Sequence, residues 1–200
     1  TALYQVAARH SPAVIFLDEF EGLSPARDSG ESSAWRSVVS SLLSALEGLE
    51  AKQQSEQYVL TLAATNTPWL LDAAILSRFG NRIYIPLPDA ATRRGIFELQ
   101  LTRKGHNSQM PFEELVQRTD GFSGREIEQI CQIALSEMVD RMNKDLMEIV
   151  DQGLDAIKKH TLRTDDVREV DFAIAFKKIQ PRTSPKMLAS YDDWIKNVDK

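Results

Sequence analysis

The sequence predicts an α/β fold in which a parallel sheet occupies the first half of the chain and only helices follow. Two apolar runs that do not alternate with polar residues, 13–17 and 58–64, predict strands buried on both faces, as in parallel sheets. A third strand is predicted over 82–88, where prolines end it. Beyond Pro88 the strand pattern disappears, so we expect an α/β subdomain followed by an all-helical one.

Helical periodicity accounts for the rest of the chain. Apolar residues recur at three- and four-residue spacing from Trp35 to Leu46, which predicts an amphipathic helix after a turn-rich loop at 24–30. Ser123 and Glu126 match a capping box before the apolar face of residues 124–142. Another helix is predicted to end near His10. The remaining predicted helices cover 91–104, capped by Gly105, and 111–118, 145–159, 169–179 and 185–198.

The composition excludes several classes of protein. The 200 residues are 42% hydrophobic and 26% charged, which is typical of a globular chain with a buried core. No apolar run approaches the roughly 20 residues that cross a bilayer, so no membrane span is expected. The single cysteine, Cys131, rules out a disulfide scaffold and is expected to lie in the core. A net charge of −5 disfavours nucleic acid as a partner.

An acidic pair directly follows the first predicted strand. An apolar strand that ends in Asp18 and Glu19 has the Walker B pattern of nucleotide hydrolases. At the carboxyl end of a parallel strand, Asp18 would point into the crevice where ligands bind and could hold Mg²⁺ through its water shell. Glu19 could accept a proton from an attacking water. For this pattern alone, two solvated acids at a strand end are the alternative.

A polar amide follows the second predicted strand, which ends at Thr65 and Asn66. Neighbouring parallel strands end side by side, so Asn66 is expected near Glu19, where its amide could orient the same water. The alternative is a turn asparagine that tolerates unusual backbone angles.

Five motifs occur in the order found in the AAA ATPases, and the chain resembles that family. They are Asp18-Glu19, the run from Ala63 to Asp72, Ser77-Arg78-Phe79, the segment from Arg82 to Pro88, and Gly121-Phe122-Ser123-Gly124. The chain is most similar to the branch of katanin, spastin, fidgetin and the vacuolar-sorting ATPases that disassemble ESCRT filaments. The resemblance covers about residues 3–141 and 167–198. It implies the C-terminal part of a P-loop AAA+ parallel-sheet subdomain followed by an all-helical lid subdomain.

The resemblance implies a catalytic role for four residues. Asp18 would be the Walker B aspartate that binds Mg²⁺, Glu19 the catalytic glutamate and Asn66 sensor 1. Arg78 would be an arginine finger that reaches the γ-phosphate bound by the neighbouring subunit. Such a finger can contribute about 10³–10⁵ in rate by stabilising charge in the transition state.

Further roles follow from the same resemblance. Ser123 and Gly124 would pack against the base and ribose of the bound ATP. The loop from Arg27 to Arg36 would be the second pore loop and face the central channel of a hexamer. The implied organisation is a partial nucleotide-binding subdomain at 1–88, a helical lid at 89–180 and a C-terminal helix at 181–200.

The implied function is Mg²⁺-dependent ATP hydrolysis by a ring-shaped homo-oligomer, a hexamer, that remodels, disassembles or unfolds a protein or filament substrate. A cytoplasmic location is expected because ATP is found there and no export signal is seen. One alternative is a non-hydrolysing scaffold or regulatory subunit, since Ser77 stands where the family usually has the first of two finger arginines. A nucleic-acid-acting AAA+ protein is a second alternative, and the acidic balance disfavours it.

Other features depart from the family pattern. Phe20 and Glu21 replace a more usual aliphatic–Asp pair, which we interpret as a packing variation. No Gly-Lys dipeptide occurs, so the phosphate loop is expected upstream of Thr1, and Thr1 itself opens a helical pattern without a cap. We therefore expect the chain to be a fragment that binds ATP weakly and is inactive on its own, whereas the parent protein hydrolyses ATP.

Overall fold

The computed structural model of the chain describes residues 2–23, 40–46 and 58–198. Several predictions lie outside these residues: the loop at 24–30, the start of the helix from Trp35, and the pore-loop residues Arg27 and Arg36. The chain divides into two compact units, Thr1–Tyr84 with Trp194–Lys200 and Ile85–Asp193. The subdomain limits predicted at 88 and 180 stay predictions. None of the described helices is long and apolar enough to cross a bilayer.

The first unit contains a parallel sheet with two described strands. Strand β1, Ala13–Leu17, pairs with β2, Val59–Ala63, in a register that runs from Ala13 opposite Val59 to Leu17 opposite Ala63. Both strands were predicted, and both are confirmed. A short 3₁₀ turn follows each strand. The described helices of this unit are α1 (Ala2–Arg9), α2 (residues 40–46) and α3 (Ala73–Leu76).

One face of this sheet packs against helices. Ile15 of β1 is buried together with Tyr4 of α1 and Leu46 of α2. Val14 and Phe16 alternate with Ile15 and are 66% and 57% exposed. The prediction that the strands are buried on both faces is therefore wrong for the described residues. The reason is that the described helices of this unit cover one side of the sheet.

The predicted third strand at 82–88 is not a strand in the structure. The described backbone from 81 to 89 has no regular secondary structure. Ile83 and Ile85 are 84% and 85% exposed, so the apolar pattern there is not matched by burial. A strand needs a hydrogen-bonded neighbour, and among the described residues the sheet contains β1 and β2.

The second unit is helical, as predicted, apart from one β-bridge between Ser108 and Val167. The predicted helix at 91–104 ends earlier, because a 3₁₀ turn at Thr102–Lys104 and Gly105, with φ of 83°, follow it. The predicted helix at 145–159 is two helices, because Gly153 has a φ of 94°. The helices are α4, Ala90–Gln100, α5, Phe112–Arg118, α6, Gly124–Met142, α7, Leu146–Asp151, α8, Leu154–Lys159, and α9, Glu169–Lys178. Helix α10, Pro185–Val198, begins in this unit, and its residues from Trp194 onward are grouped with the first unit.

Helix α6 supplies the largest part of the core of the second unit. Its apolar face buries Ile127, Ile130, Cys131, Ala134 and Met138, which recur at the three- and four-residue spacing of an amphipathic helix. Phe97 of α4 and Phe172 of α9 pack in the same cluster. Cys131 is fully buried, as predicted, and burial raises the pKa of its thiol to about 12.

An ion pair joins α6 to α9. The guanidinium of Arg141 donates to both carboxylate oxygens of Asp171, at 3.2 Å from Nε and 3.0 Å from Nη2. Asp171 is 2% exposed. The two-point contact holds the carboxyl-terminal turn of α6 against the amino-terminal turn of α9.

Candidate functional site

Three of the residues predicted to act in catalysis, Asp18, Glu19 and Asn66, follow the carboxyl ends of the two described strands. Two further hydrogen bonds extend the pairing of β1 and β2 beyond the strands. The N–H of Ala64 donates to the carbonyl of Leu17 at 2.8 Å, and the N–H of Phe20 donates to the carbonyl of Ala64 at 2.9 Å. The turn that carries Asp18 and Glu19 is therefore attached to the segment that leads to Asn66. This is the juxtaposition that parallel strand ends predict.

The backbone of Glu19 is strained. Its φ is +49°, in the left-handed region that residues other than glycine rarely occupy. Its N–H donates to Oδ1 of Asp18 at 3.0 Å, and its carbonyl accepts from the N–H of Gly22 at 2.9 Å. Strain of this kind costs about 1–3 kcal/mol and is concentrated at functional sites, where the surroundings enforce it.

Phe20 anchors this turn in the interior. Its side chain is 1% exposed, and its ring meets that of Phe79 edge to face, with 5.5 Å between ring centroids and an interplanar angle of 76°. Phe79 follows Arg78 directly. The segment bearing the predicted finger residue is therefore in contact with the turn bearing Glu19.

Glu21 connects the turn to the predicted sensor residue. Its Oε1 accepts a hydrogen bond from the backbone N–H of Asn66 at 3.2 Å. Burial acts to raise the pKa of Glu21, but the nearby Thr65 hydroxyl and the backbone N–H groups of Glu21 and Asn66 hold it below its ordinary value. The interpretation of Phe20 and Glu21 as a packing variation holds for the phenylalanine. It is wrong for Glu21, because its carboxylate makes a polar contact across the sheet edge.

Arg78 and Ser77 lie at the end of α3. Asp72 caps the start of this helix, with its Oδ1 accepting from the N–H of Ala74 at 2.7 Å. The hydroxyl of Ser77 donates to the carbonyl of Ala74 at 2.8 Å, so it is engaged within the helix. Arg78 is half-buried, and its N–H donates to the carbonyl of Ile75 at 3.0 Å.

Ser123 and Gly124 begin α6 in the second unit. The predicted capping box is confirmed: Oγ of Ser123 accepts from the N–H of Glu126 at 3.3 Å, and Oε2 of Glu126 accepts from the N–H of Ser123 at 2.7 Å. A Cβ at Gly124 would lie 3.5 Å from Cδ1 of Ile96, an ordinary contact distance. Within this unit, a small side chain would therefore fit at position 124 without a clash.

The structure thus brings four of the predicted site residues into one unit, namely Asp18, Glu19, Asn66 and Arg78. Ser123 and Gly124 belong to the other unit, and their role toward a nucleotide stays a prediction. Glu21 is the residue that sequence reasoning missed. The available signal was a third carboxylate two residues beyond Glu19, but its partner is 45 residues away in the chain.

The residues at the sheet edge fit a magnesium ion of the kind that accompanies phosphates. Asp18 is exposed, and its carboxylate is oriented by the N–H of Glu19 on one oxygen. The described residues contain no group of three or more His, Cys, Asp or Glu that could enclose a metal. Mg²⁺ does not need such a group, because it usually keeps several waters and takes one or two carboxylates plus substrate phosphates.

Two family models match the chain. The ATPase family associated with various cellular activities (AAA) matches residues 1–87, and the AAA+ lid domain matches residues 111–156. The chain belongs to the AAA family of ATPases. The predicted fold, a parallel-sheet subdomain followed by a helical lid, is the AAA fold and is confirmed.

The relatives of this AAA chain include the predicted branch. Meiotic spindle formation protein mei-1 of Caenorhabditis elegans is 33% identical over 193 residues, which are 96% of this chain and 40% of that protein. Katanin p60 ATPase-containing subunit A1 of Arabidopsis thaliana, spastin of Anopheles gambiae and vacuolar protein sorting-associated protein 4B of Mus musculus also match, at 32–39% identity. The chain spans less than half the length of each of these relatives.

Solved AAA structures superpose on most of the chain. The crystal structure of the FIGL-1 AAA domain in complex with ADP has a TM-score of 0.76 and 29% identity, and covers 98% of this chain and 61% of that one. A structure that concerns the self-assembly of katanin has a TM-score of 0.67 and 27% identity, and covers 96% and 61%.

Proposed function

We propose that the protein carrying this chain is an ATP-hydrolysing AAA motor that remodels, disassembles or unfolds protein assemblies. The observation that carries the proposal is the strained turn after β1. There Asp18 and Glu19 lie at the same sheet edge as the segment bearing Asn66. Membership of the AAA family supports ATP as the substrate, and the ADP complex of the related FIGL-1 domain supports a nucleotide site.

The residues of this edge divide the chemistry between them. Asp18 would hold Mg²⁺, which neutralises phosphate charge when bound. Glu19 accepts a proton from the attacking water, as a general base. Asn66 orients that water, since an amide can donate and accept hydrogen bonds without taking the proton.

Arg78 acts on the nucleotide of a neighbouring subunit. A guanidinium there stabilises the charge that develops on the γ-phosphate. A finger supplied in this way requires a head-to-tail contact between subunits, which forms a ring when it closes on itself, and we infer a homo-hexamer. The structure of katanin self-assembly supports assembly in a related protein.

We assign the nucleotide contacts and the pore loop from the same resemblance to AAA ATPases. Ser123 and Gly124 contact the base and ribose of ATP, and the loop from Arg27 to Arg36 lines the central pore. The substrate is a protein or a protein filament, and the site of action is the cytoplasm.

The test is the ATPase rate per subunit of the full-length protein, measured against protein concentration. We expect the rate to rise with concentration as rings form. Glu19→Gln should lower kcat by about 100-fold or more, as expected for loss of a general base. Arg78→Ala should lower it by about 10³-fold.

Two exposed residues of the second unit provide matched controls. Glu148→Gln and Arg103→Ala make the same chemical changes and should leave the ATPase rate unchanged.

The second candidate function is a non-hydrolysing AAA scaffold or regulatory subunit. The observation that favours it is Ser77, which stands where the family usually has the first of two finger arginines and whose hydroxyl donates to the carbonyl of Ala74. A rate that stays at background in the full-length protein, or that is indifferent to Glu19→Gln, would establish the scaffold and reject the motor.

A further inference from the structure

A carboxylate that the proposed chemistry does not use lies beside the catalytic turn. Glu21 sits in the 3₁₀ turn Phe20–Leu23, two residues beyond Glu19. Its Oε1 accepts the backbone N–H of Asn66 at 3.2 Å, across 45 residues of sequence. This contact joins the turn that carries the proposed base to the loop that carries the proposed water-orienting amide.

The contact continues the sheet where the backbone ladder of the described strands ends. The last ladder hydrogen bond runs from the N–H of Phe20 to the carbonyl of Ala64. Beyond it, the loop after β2 turns on itself, since the N–H of Thr67 donates to Oγ1 of Thr65 at 3.1 Å. Glu21 therefore connects this loop to the turn after β1, and its carboxylate takes the place of a backbone carbonyl as the hydrogen-bond acceptor.

The two oxygens of this carboxylate have different surroundings. Oε1 accepts the N–H of Asn66, whereas Oε2 is buried and has no hydrogen-bond partner among the described residues. Burial acts to raise the pKa of Glu21, but the Thr65 hydroxyl and the backbone N–H groups of Glu21 and Asn66 hold it below its ordinary value. The site therefore favours a charged acceptor, which an aliphatic side chain could not supply.

We propose that Glu21 is a positioning residue, which holds the loop bearing Asn66 in place relative to Glu19. The inference rests on the proposed function, because both residues act there on one water. Misplacing a reacting or orienting group by about 1 Å can cost as much as about 100-fold in rate. Glu21 acts through Asn66 and does not itself contact the substrate.

The test uses steady-state ATPase kinetics of the full-length protein. Glu21→Ala removes the acceptor and should lower kcat by about 10-fold or more, while KM for ATP changes by less than about 2-fold. Glu21→Gln keeps a carbonyl oxygen at the same distance from the backbone and should restore most of the rate. Glu137→Ala, which removes a surface carboxylate paired with Lys178 on α9, is the matched control and should have the wild-type rate.

A double-mutant cycle separates positioning from general loss of structure. Asn66→Ala removes the amide but keeps the backbone N–H that Glu21 accepts. If Glu21 acts through Asn66, adding Glu21→Ala to Asn66→Ala should change kcat little further. Circular dichroism and thermal melting of each variant show whether it is folded, and Glu21→Gln keeps the test decisive if the alanine variant unfolds.

Three results would overturn the inference. They are a wild-type kcat in Glu21→Ala, reductions in kcat that multiply fully in the double variant, and a Glu21→Gln variant that is folded but as slow as Glu21→Ala. A wild-type protein without ATPase activity would instead reject the proposed function, and this inference with it.

Discussion

The backbone of Glu19 has a φ of +49°, and the residues around it enforce that angle. Phe20, the next residue, is buried against Phe79, while Gly22 closes the turn by donating its N–H to the carbonyl of Glu19. A glutamate in this conformation is less stable than a glycine would be, since only glycine adopts left-handed angles without steric cost. At the scale of single residues, the site therefore gives up stability to hold a carboxylate in one place.

This strain predicts an inverted order of stability between two substitutions. Glu19→Gly should be more stable than Glu19→Ala by about 1 kcal/mol, because alanine retains the Cβ that the left-handed region disfavours. Both variants should lose ATP hydrolysis. The measurement is the thermal unfolding of both variants side by side.

Gln132, on the exposed face of α6, provides the control. There Gln132→Ala should be more stable than Gln132→Gly by about 1 kcal/mol, because alanine is the better helix former. An alanine variant at position 19 that is as stable as the glycine variant would show that the turn is not strained.

Single residues were predictable where a local pattern identifies them. Asp18, Glu19 and Asn66 follow apolar strands, and Cys131 lies on an apolar helix face, so their surroundings could be inferred from their neighbours. Glu21 could not be placed in this way. An acid after a strand usually is solvated, and its partner, Asn66, is brought close only by the pairing of β1 with β2.

The start of α6 shows how one helix end organises its surroundings. Ser123 caps the helix, and Oε2 of Glu126 accepts hydrogen bonds from the N–H and the hydroxyl of Ser123 at 2.7 and 3.0 Å. The other oxygen of Glu126 accepts the N–H of Arg182 at 2.8 Å. Glu126 is 4% exposed, so its buried charge is satisfied from both segments. The cap thus also fixes the chain that leads into α10.

Loss of this cap should destabilise the helix. Ser123→Ala removes the side-chain acceptor at the amino terminus of α6 and should cost about 1 kcal/mol of unfolding free energy, measured by chemical denaturation. Ser136 lies on the exposed face of the same helix, and Ser136→Ala should be neutral or slightly stabilising, because alanine is the better helix former. Equal effects of the two substitutions would contradict the capping role.

Whole elements were predictable where periodicity is strong and caps are present. Helix α6 has the predicted bounds, Gly124–Met142, because the capping box and the apolar face agree. The strand at 82–88 was predicted from apolar residues alone, but a strand also depends on a neighbour that local sequence does not specify. The helix at 145–159 was predicted as continuous, and the positive φ of Gly153 divides it into α7 and α8.

For the whole molecule, the sequence supports a parallel sheet followed by helices and a cluster of acids and an amide at one sheet edge. It could do so because parallel strands end side by side. Periodicity and capping describe each unit by itself, so a role for Ser123 and Gly124 at that edge stays a prediction. At this scale we propose that Glu19 of one subunit and Arg78 of the next complete one active site.

Mixing two inactive variants tests this shared site most directly. Full-length Glu19→Gln and Arg78→Ala proteins are each assayed for ATPase activity, alone and combined in equal amounts. In a randomly mixed ring about a quarter of the interfaces would join an intact Glu19 to an intact Arg78 from the neighbour. We predict that the mixture recovers roughly that fraction of the wild-type rate while each variant alone stays inactive. A mixture as inactive as its components, formed under conditions in which the subunits do exchange, would contradict a shared active site.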